Sequence, residues 1–377
     1  MKVAIIAPNI LGAYLGPATV AYNTLQGFIK LQRFLEKKDI QITFLSLREN
    51  QHKEFTPNIQ VIGLKRYNYP FRIVIHEIQG FIISPTWEQF DIVHSHSIYE
   101  LLPWISKGIP TIFTLHGMFW REKEYGNKIL GEYWASANMT RLKLCYPRLA
   151  SLVAISPYVV NELVSLGFDV SKAEIIENPV SDEFFNTKKR EENLILYPAT
   201  IIPRKNQLGF LKAVRQVHEE LRDFKIVLTG SGDPKYFNAI KEFIRKHKLK
   251  NVKFTGKIAY EHLIMLYSKA SVVALTSFQE TLPMAVLEAL ATGTPVIASN
   301  VGGIPYMVQQ NRTGFLVNPN EPKDIAEKLL ILASDKNTRK KMGRRARKHA
   351  EKRWKAEIIA RKHLNLYLEV ANQSPAK

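Results

Sequence analysis

Residues 278–289 read FQETLPMAVLEA, with Glu280 and Glu288 eight positions apart and Pro283 between them. The apolar run Ser271–Leu275 (SVVAL) precedes this stretch and the apolar Pro295–Ala298 follows it. Strand, loop, helix and strand in that order are the grammar of a parallel sheet with both faces covered. Pro283 suits the first turn of a helix, where a missing N–H costs nothing. The amides around Leu282 and Met284 are then left free at a helix N-terminus, a ready anion site. Glu280 falls in the loop before that site and Glu288 hangs from the helix behind it. Carboxylates accept hydrogen bonds from vicinal hydroxyls, so one suits a sugar and the other a ribose. Acidic pairs at this spacing are common by chance, and this one gains meaning only from its surroundings.

The same grammar extends outward in both directions. Leu194–Pro198, Lys225–Thr229 and Val252–Phe254 read as strands, and 206–221, 236–246, 260–269, 324–333 and 338–350 as helices. Upstream, Lys2–Ala7, Gln41–Ser46, Gln60–Leu64, Asp91–His94, Thr111–Leu115, Leu152–Ile155 and Glu174–Ile176 read as strands, with a helix over 19–34. A chain of 377 residues exceeds what one core usually holds. The expectation is an α/β protein of two doubly wound, Rossmann-like domains facing each other across a cleft. The charge-rich NTKKREEN at 186–193 marks the expected boundary, giving domains at 1–188 and 189–353. A last amphipathic helix at 354–372 presents Ile358, Ile359, Leu364, Leu366 and Tyr367 as its apolar side, and is expected to pack back on the first domain.

Composition narrows the class. Lys and Arg number 53 against 34 Asp and Glu, a net charge of +19, and the split is +4 over residues 1–190 and +15 beyond. Thirteen basic residues against Glu351 and Glu357 crowd Lys336–Lys362. Such a surface suits a polyanion or an anionic membrane face, and equally a solvated helix. No zinc, RRM or KH pattern supports nucleic acid as the partner. Cys145 is the only cysteine, so no internal disulfide forms and a reducing compartment is expected. Met1–Ile10 is too short for a signal peptide or a span, and no ~20-residue apolar run follows. A cytoplasmic protein, peripheral at the inner membrane face, is the expectation. The loop after the first strand lacks G-x-G-x-x-G, which argues against a Rossmann dehydrogenase.

Downstream of Glu288, Ala291-Thr292-Gly293-Thr294-Pro295-Val296, Gly302-Gly303-Ile304-Pro305 and Thr313–Val317 complete a specific block. With the two glutamates, this block resembles glycosyltransferase family 4, retaining nucleotide-sugar transferases of the GT-B fold. The resemblance implies a hexosyltransferase that moves sugar from a UDP- or GDP-sugar to a glycan or lipid-linked acceptor hydroxyl. It implies an N-terminal acceptor domain, with acceptor segments within 12–22 and 117–133, and a C-terminal donor domain. Lys205 in PRKN matches the lysine that neutralises the donor diphosphate, and Gly230 opens the matching G-x-G turn. Lys257 and Ile258 match the segment that meets the nucleobase. Leu282, Pro283 and Met284 border the diphosphate, Glu288 takes the ribose and Glu280 a hydroxyl of the transferred sugar. Gly16-Pro17 falls at the family's phosphate loop, and His116 in TLHG matches the histidine beside the anomeric carbon. Asp91–Ser97, with His94 and His96, matches a structural element.

Some positions depart from the pattern. Ala199-Thr200 stands where many members have Gly-Arg, which leaves the diphosphate grip to Arg204 or another cation. Pro17 replaces a glycine and removes a donor, Thr281 replaces a glycine, and Tyr306 replaces a glutamate. A relative that binds nucleotide-sugar or glycan without turnover is therefore the alternative. No D-x-D occurs in the chain. Cationic side chains and a helix N-terminus are expected to neutralise the diphosphate, with no metal and no cofactor.

Overall fold

The computed structural model describes residues 1–7, 10, 16–46, 52–63, 89–125 and 128–373. Residues 12–15 of the N-terminal loop, part of one expected acceptor segment, lie outside the described residues, as do Leu64 and residues 126–127. The described chain divides into two compact units, Met1–Pro179 with Lys355–Lys377, and Val180–Trp354.

The first unit is built on eight strands: β1 Lys2–Ala7, β2 Gln41–Ser46, β3 His52–Thr56, β4 Ile59–Gly63, β5 Ile92–Ser95, β6 Thr111–Leu115, β7 Ser151–Ala154 and β8 Ala173–Ile175. Their order is β3-β4-β2-β1-β5-β6-β7-β8, parallel except for the β3–β4 pair. The central strands are buried on both faces, as β-branched runs demand. Polar β3 (HKEFT) carries no apolar pattern and is an addition to the seven expected strands. The helix Pro17–Lys30 and the final helix Ala356–Gln373 cover one face together. Phe28 packs between Phe44 of β2 and Tyr367 of the final helix, at ring separations of 6.3 and 6.2 Å. Gly27 allows this closeness, since a Cβ there would lie 2.2 Å from the Ala356 carbonyl oxygen.

The second unit has six parallel strands: β9 Leu194–Pro198, β10 Lys225–Thr229, β11 Val252–Gly256, β12 Val272–Leu275, β13 Val296–Ser299 and β14 Gly314–Val317. Their order is β11-β10-β9-β12-β13-β14. The chain leaves β9 toward one edge, then returns to β12 on its other side, so the order reverses between β9 and β12. Loops at the carboxyl ends of strands flanking such a reversal are where α/β sheets hold ligands. In the first unit the reversal lies between β1 and β5.

The unit boundary falls at Pro179, not at 188. The run 186–193 looks like a linker because it is charged, yet three of its five charges, Lys189, Glu191 and Glu192, are docked in the second unit. Lys189 Nζ donates to Tyr267 O at 3.0 Å, to Thr294 Oγ1 at 2.5 Å and to Ala270 O. Glu191 pairs with buried Arg339 at 2.9 Å and Glu192 with Lys269 at 3.1 Å. Ahead of them, Phe184 stands edge-on to Tyr260 and Tyr267. Among the described residues no helix is long and apolar enough to cross a membrane.

Candidate active site

In the second unit, the loop after β9 and the loop after β12 meet at the reversal point. The β9 loop turns through Pro203–Lys205 into Asn206, which adopts a left-handed conformation (φ 54°) and caps the helix Gln207–Gln216. Asn206 Nδ2 donates to Thr276 O at 3.0 Å and Pro319 O at 2.8 Å, joining the loops that follow β9, β12 and β14. Tyr197, fully buried in β9, donates its hydroxyl to Lys205 O and accepts from Thr276 N at 3.0 Å. These buried bonds fix the two loops before any ligand arrives. Neither Tyr197 nor Asn206 stood out in the sequence, because their work is on backbone groups.

The held side chains form a compact charged cluster. Lys205 Nζ lies 2.5 Å from Glu280 Oε1 and Arg204 Nη1 lies 3.4 Å from Oε2. Arg204 also donates to Gln279 O at 2.8 Å, and its own carbonyl accepts from Phe278 N at 2.9 Å. Burial pushes the Glu280 carboxyl up, but the Lys205 and Arg204 charges outweigh it and hold the group below the usual carboxylate range. Arg204 thus brings a second cation beside Lys205.

Pro283 precedes the helix Met284–Ala291, and no side chain caps it. The amides of Met284 and Ala285 have no preceding helical turn to bond. Glu280 O accepts from Gly303 N at 3.0 Å, which draws Gly302-Gly303 against the Glu280 loop. Gly302 itself has φ 56°, a conformation that favours glycine. Glu288 is buried on the far side of the helix beside Tyr267. Burial pushes its carboxyl up to about 7, with the Tyr267 hydroxyl opposing the rise.

Gly230 (φ 102°) follows β10 and donates to Gly256 O at 2.8 Å, while Lys257 and Ile258 leave β11 next to it. A Cβ on Gly230 would lie 2.5 Å from Ala199 O, so close loop packing alone explains this glycine. These three residues lie at the same sheet end as the cluster, since the strands that carry them are parallel. Gln279 was not singled out in the sequence. It is buried next to Glu280, and neither end of its amide has a hydrogen-bond partner among the described residues.

In the first unit, Gly16 (φ 57°) and Pro17 open the helix Pro17–Lys30. The N–H that Pro17 lacks is one no helical carbonyl would have used. His116 follows β6, and its Nε2 lies 2.8 Å from His96 Nδ1. His94 bonds Tyr367 at 2.7 Å and Thr114 at 2.6 Å. His363 of the final helix lies 5.1 Å from His94, ring to ring, and His94 lies 4.9 Å from His96. Burial drives all four imidazoles toward neutrality, His96 down to about 4, His363 to about 3, and His94 and His116 well below the ordinary value. Among the described residues no three His, Cys, Asp or Glu side chains converge as a metal site.

Two parallel, doubly wound units, one carrying this cluster at its reversal point, define a glycosyltransferase of the GT-B type. The profile for glycosyl transferases group 1 matches residues 181–349, and that for glycosyltransferase family 4 matches residues 28–184. The chain belongs to this family. It is 26% identical over 358 residues to an uncharacterized glycosyltransferase of Methanocaldococcus jannaschii, covering 92% of this chain and 93% of that one. A D-inositol 3-phosphate glycosyltransferase of Paenarthrobacter aurescens is 27% identical over 74% of this chain and 72% of its own. The crystal structure of Anabaena HepE in complex with UDP and glucose shares the fold at a TM-score of 0.73, with 15% identity, covering 98% of this chain and 99% of that one.

Proposed function

We propose that the protein is a retaining hexosyltransferase that uses a nucleoside-diphosphate sugar and neutralises the leaving diphosphate with its own side chains. The observation carrying this reading is the Lys205–Arg204–Glu280 cluster beside the uncapped start of the helix Met284–Ala291. A diphosphate gains charge as the bond to the anomeric carbon stretches, and preorganised positive potential lowers that barrier by several kcal/mol. Lys205 and Arg204 exchange Glu280 for phosphate oxygens when the donor arrives. Glu280, released from its cations, accepts a hydroxyl of the sugar, and Glu288 takes the ribose. The acceptor oxygen bonds to the anomeric carbon from the face the phosphate leaves, and its proton passes to the departing phosphate oxygen. His116 addresses the transferred sugar. UDP, found with glucose in HepE, supports a UDP-sugar as the first donor to try.

The acceptor is a glycan or lipid-linked hydroxyl. An anionic membrane face suits the helix Lys336–Arg353, where Lys340, Lys341, Arg344, Arg345 and Lys348 are exposed. Arg339 and Arg347 of the same helix are instead occupied by Glu191 and Glu351.

A thermal-shift panel of UDP, GDP, ADP and their sugars tests the donor, because a ligand of the native state raises the melting temperature. At least one nucleotide is expected to raise it, and NMR of the transfer product should show the donor's anomeric configuration. No shift with any nucleotide, or an inverted product, overturns the reading. A shift without turnover would favour a binding-only relative.

A further inference from the structure

The histidine array of the first unit contains a tautomer problem with a definite answer. His116 Nε2 and His96 Nδ1 face each other at 2.8 Å, so one nitrogen carries the proton and the other accepts it. Both rings are kept neutral by burial, to which the neighbouring His96 and His363 add a charge penalty on His116. The two arrangements differ at the far end of His96. Its Nε2 is buried and meets no partner among the described residues. If His116 donated, that end would be a buried N–H without an acceptor. If His96 donates, it is a bare lone pair, the less costly orphan in protein interiors.

We infer that His96 is a positioning residue that donates from Nδ1 to His116 Nε2, fixing His116 as a neutral imidazole whose Nδ1–H is its free group. His116 then offers a hydrogen-bond donor to its ligand and has no basic nitrogen to spare. Resting on the transferase reading, this makes His116 a group that orients a sugar hydroxyl rather than one that removes the acceptor's proton. The geometry that fixes the pair comes from the sheet: His96 N donates to Ile6 O at 2.9 Å across the β1–β5 reversal, and His116 follows β6. His363 and Tyr367, carried by the final helix, close the array from the other side.

The tautomer is readable without substrate, by nitrogen-15 NMR of the imidazoles in the full-length protein. His116 protonated on Nδ1, unchanged between pH 6 and 8, is expected. A proton on Nε2, or a charged ring in that range, overturns the inference whatever the enzyme transfers. Two variants carry the test to activity. His96→Asn can still present an amide N–H where Nδ1 stood, and should keep the His116 tautomer with kcat within a few-fold. His96→Asp presents only an acceptor, so it should move the proton to Nε2, bring His116 into titration and lower kcat on the order of 10²-fold with little change in donor KM. Equal kcat in the two variants, or an Asp variant whose tautomer is unchanged, defeats the positioning role. Absence of any transferase activity in the wild type, with the Nδ1–H tautomer observed, would instead defeat the transferase reading alone.

Discussion

The two units place chemistry at equivalent points of their sheets and fill those points with opposite electrostatics. The second unit gathers full charges, Lys205 and Arg204 around Glu280. The first gathers four imidazoles held neutral by burial and by one another. A buried carboxylate is tolerable only with partners, and here it has two. A buried imidazole escapes the penalty by giving up its proton. The fold supplies the same kind of ledge twice, and the side chains decide whether it carries full charges or neutral rings.

The contrast is broken or sharpened most strongly at the charged cluster. Glu280→Gln should lower kcat on the order of 10²–10³-fold, while UDP affinity holds or tightens because two cations lose a competitor. Lys205→Met should do the reverse to affinity, weakening UDP by about 10–100-fold, the worth of one charge-assisted bond. Calorimetry and steady-state kinetics separate the two. Parallel losses of affinity in both variants would mean that the cluster is only a structural ion pair.

Glu288 gives the next largest effect. Its carboxyl sits at about 7 in the fold against 4.5 when free. The folded state therefore holds a proton that the unfolded chain releases first. This group's contribution falls as pH rises from about 4.5 through 7, by about 3 kcal/mol in all at 1.36 kcal/mol per unit. Ribose hydroxyls donating to the carboxylate favour its charged form, so nucleotide binding near pH 6.5 should release protons. Calorimetry in buffers of different ionisation enthalpy should detect release in the wild type and none in Glu288→Gln. Proton uptake would contradict a ribose at this carboxylate. The smallest effect is expected at Gln279, whose unpartnered amide suits a sugar hydroxyl. Gln279→Ala should raise donor KM a few-fold and leave UDP affinity unchanged.

The second unit was the more legible in sequence. Its strands are short continuous apolar runs, and β9 and β10 fall on the residues read as strands. The two glutamates stood out from the loop and the Pro283-started helix between them, whereas Lys205 and Arg204 became legible only through the family resemblance. The Lys205–Glu280 contact was not, since residues 75 apart meet only through sheet order. In the first unit, polar β3 has no pattern to detect and pairs only at the sheet edge. The histidine array was illegible for the same reason as the ion pair: His363 comes from the far end of the chain. The misplaced boundary has a simpler cause. Charge usually marks solvent, and Lys189 is a lysine whose ammonium is satisfied inside by two carbonyls and a hydroxyl.

The final helix has a consequence for how the chain is made. Domains commonly fold as they emerge, first half first. Here the opening unit lacks one wall until Ala356–Gln373 is synthesised, and that wall carries Tyr367 against Phe28 and His94. On the ribosome, the half born earliest is the half finished last, because its closing wall emerges only after the whole second unit.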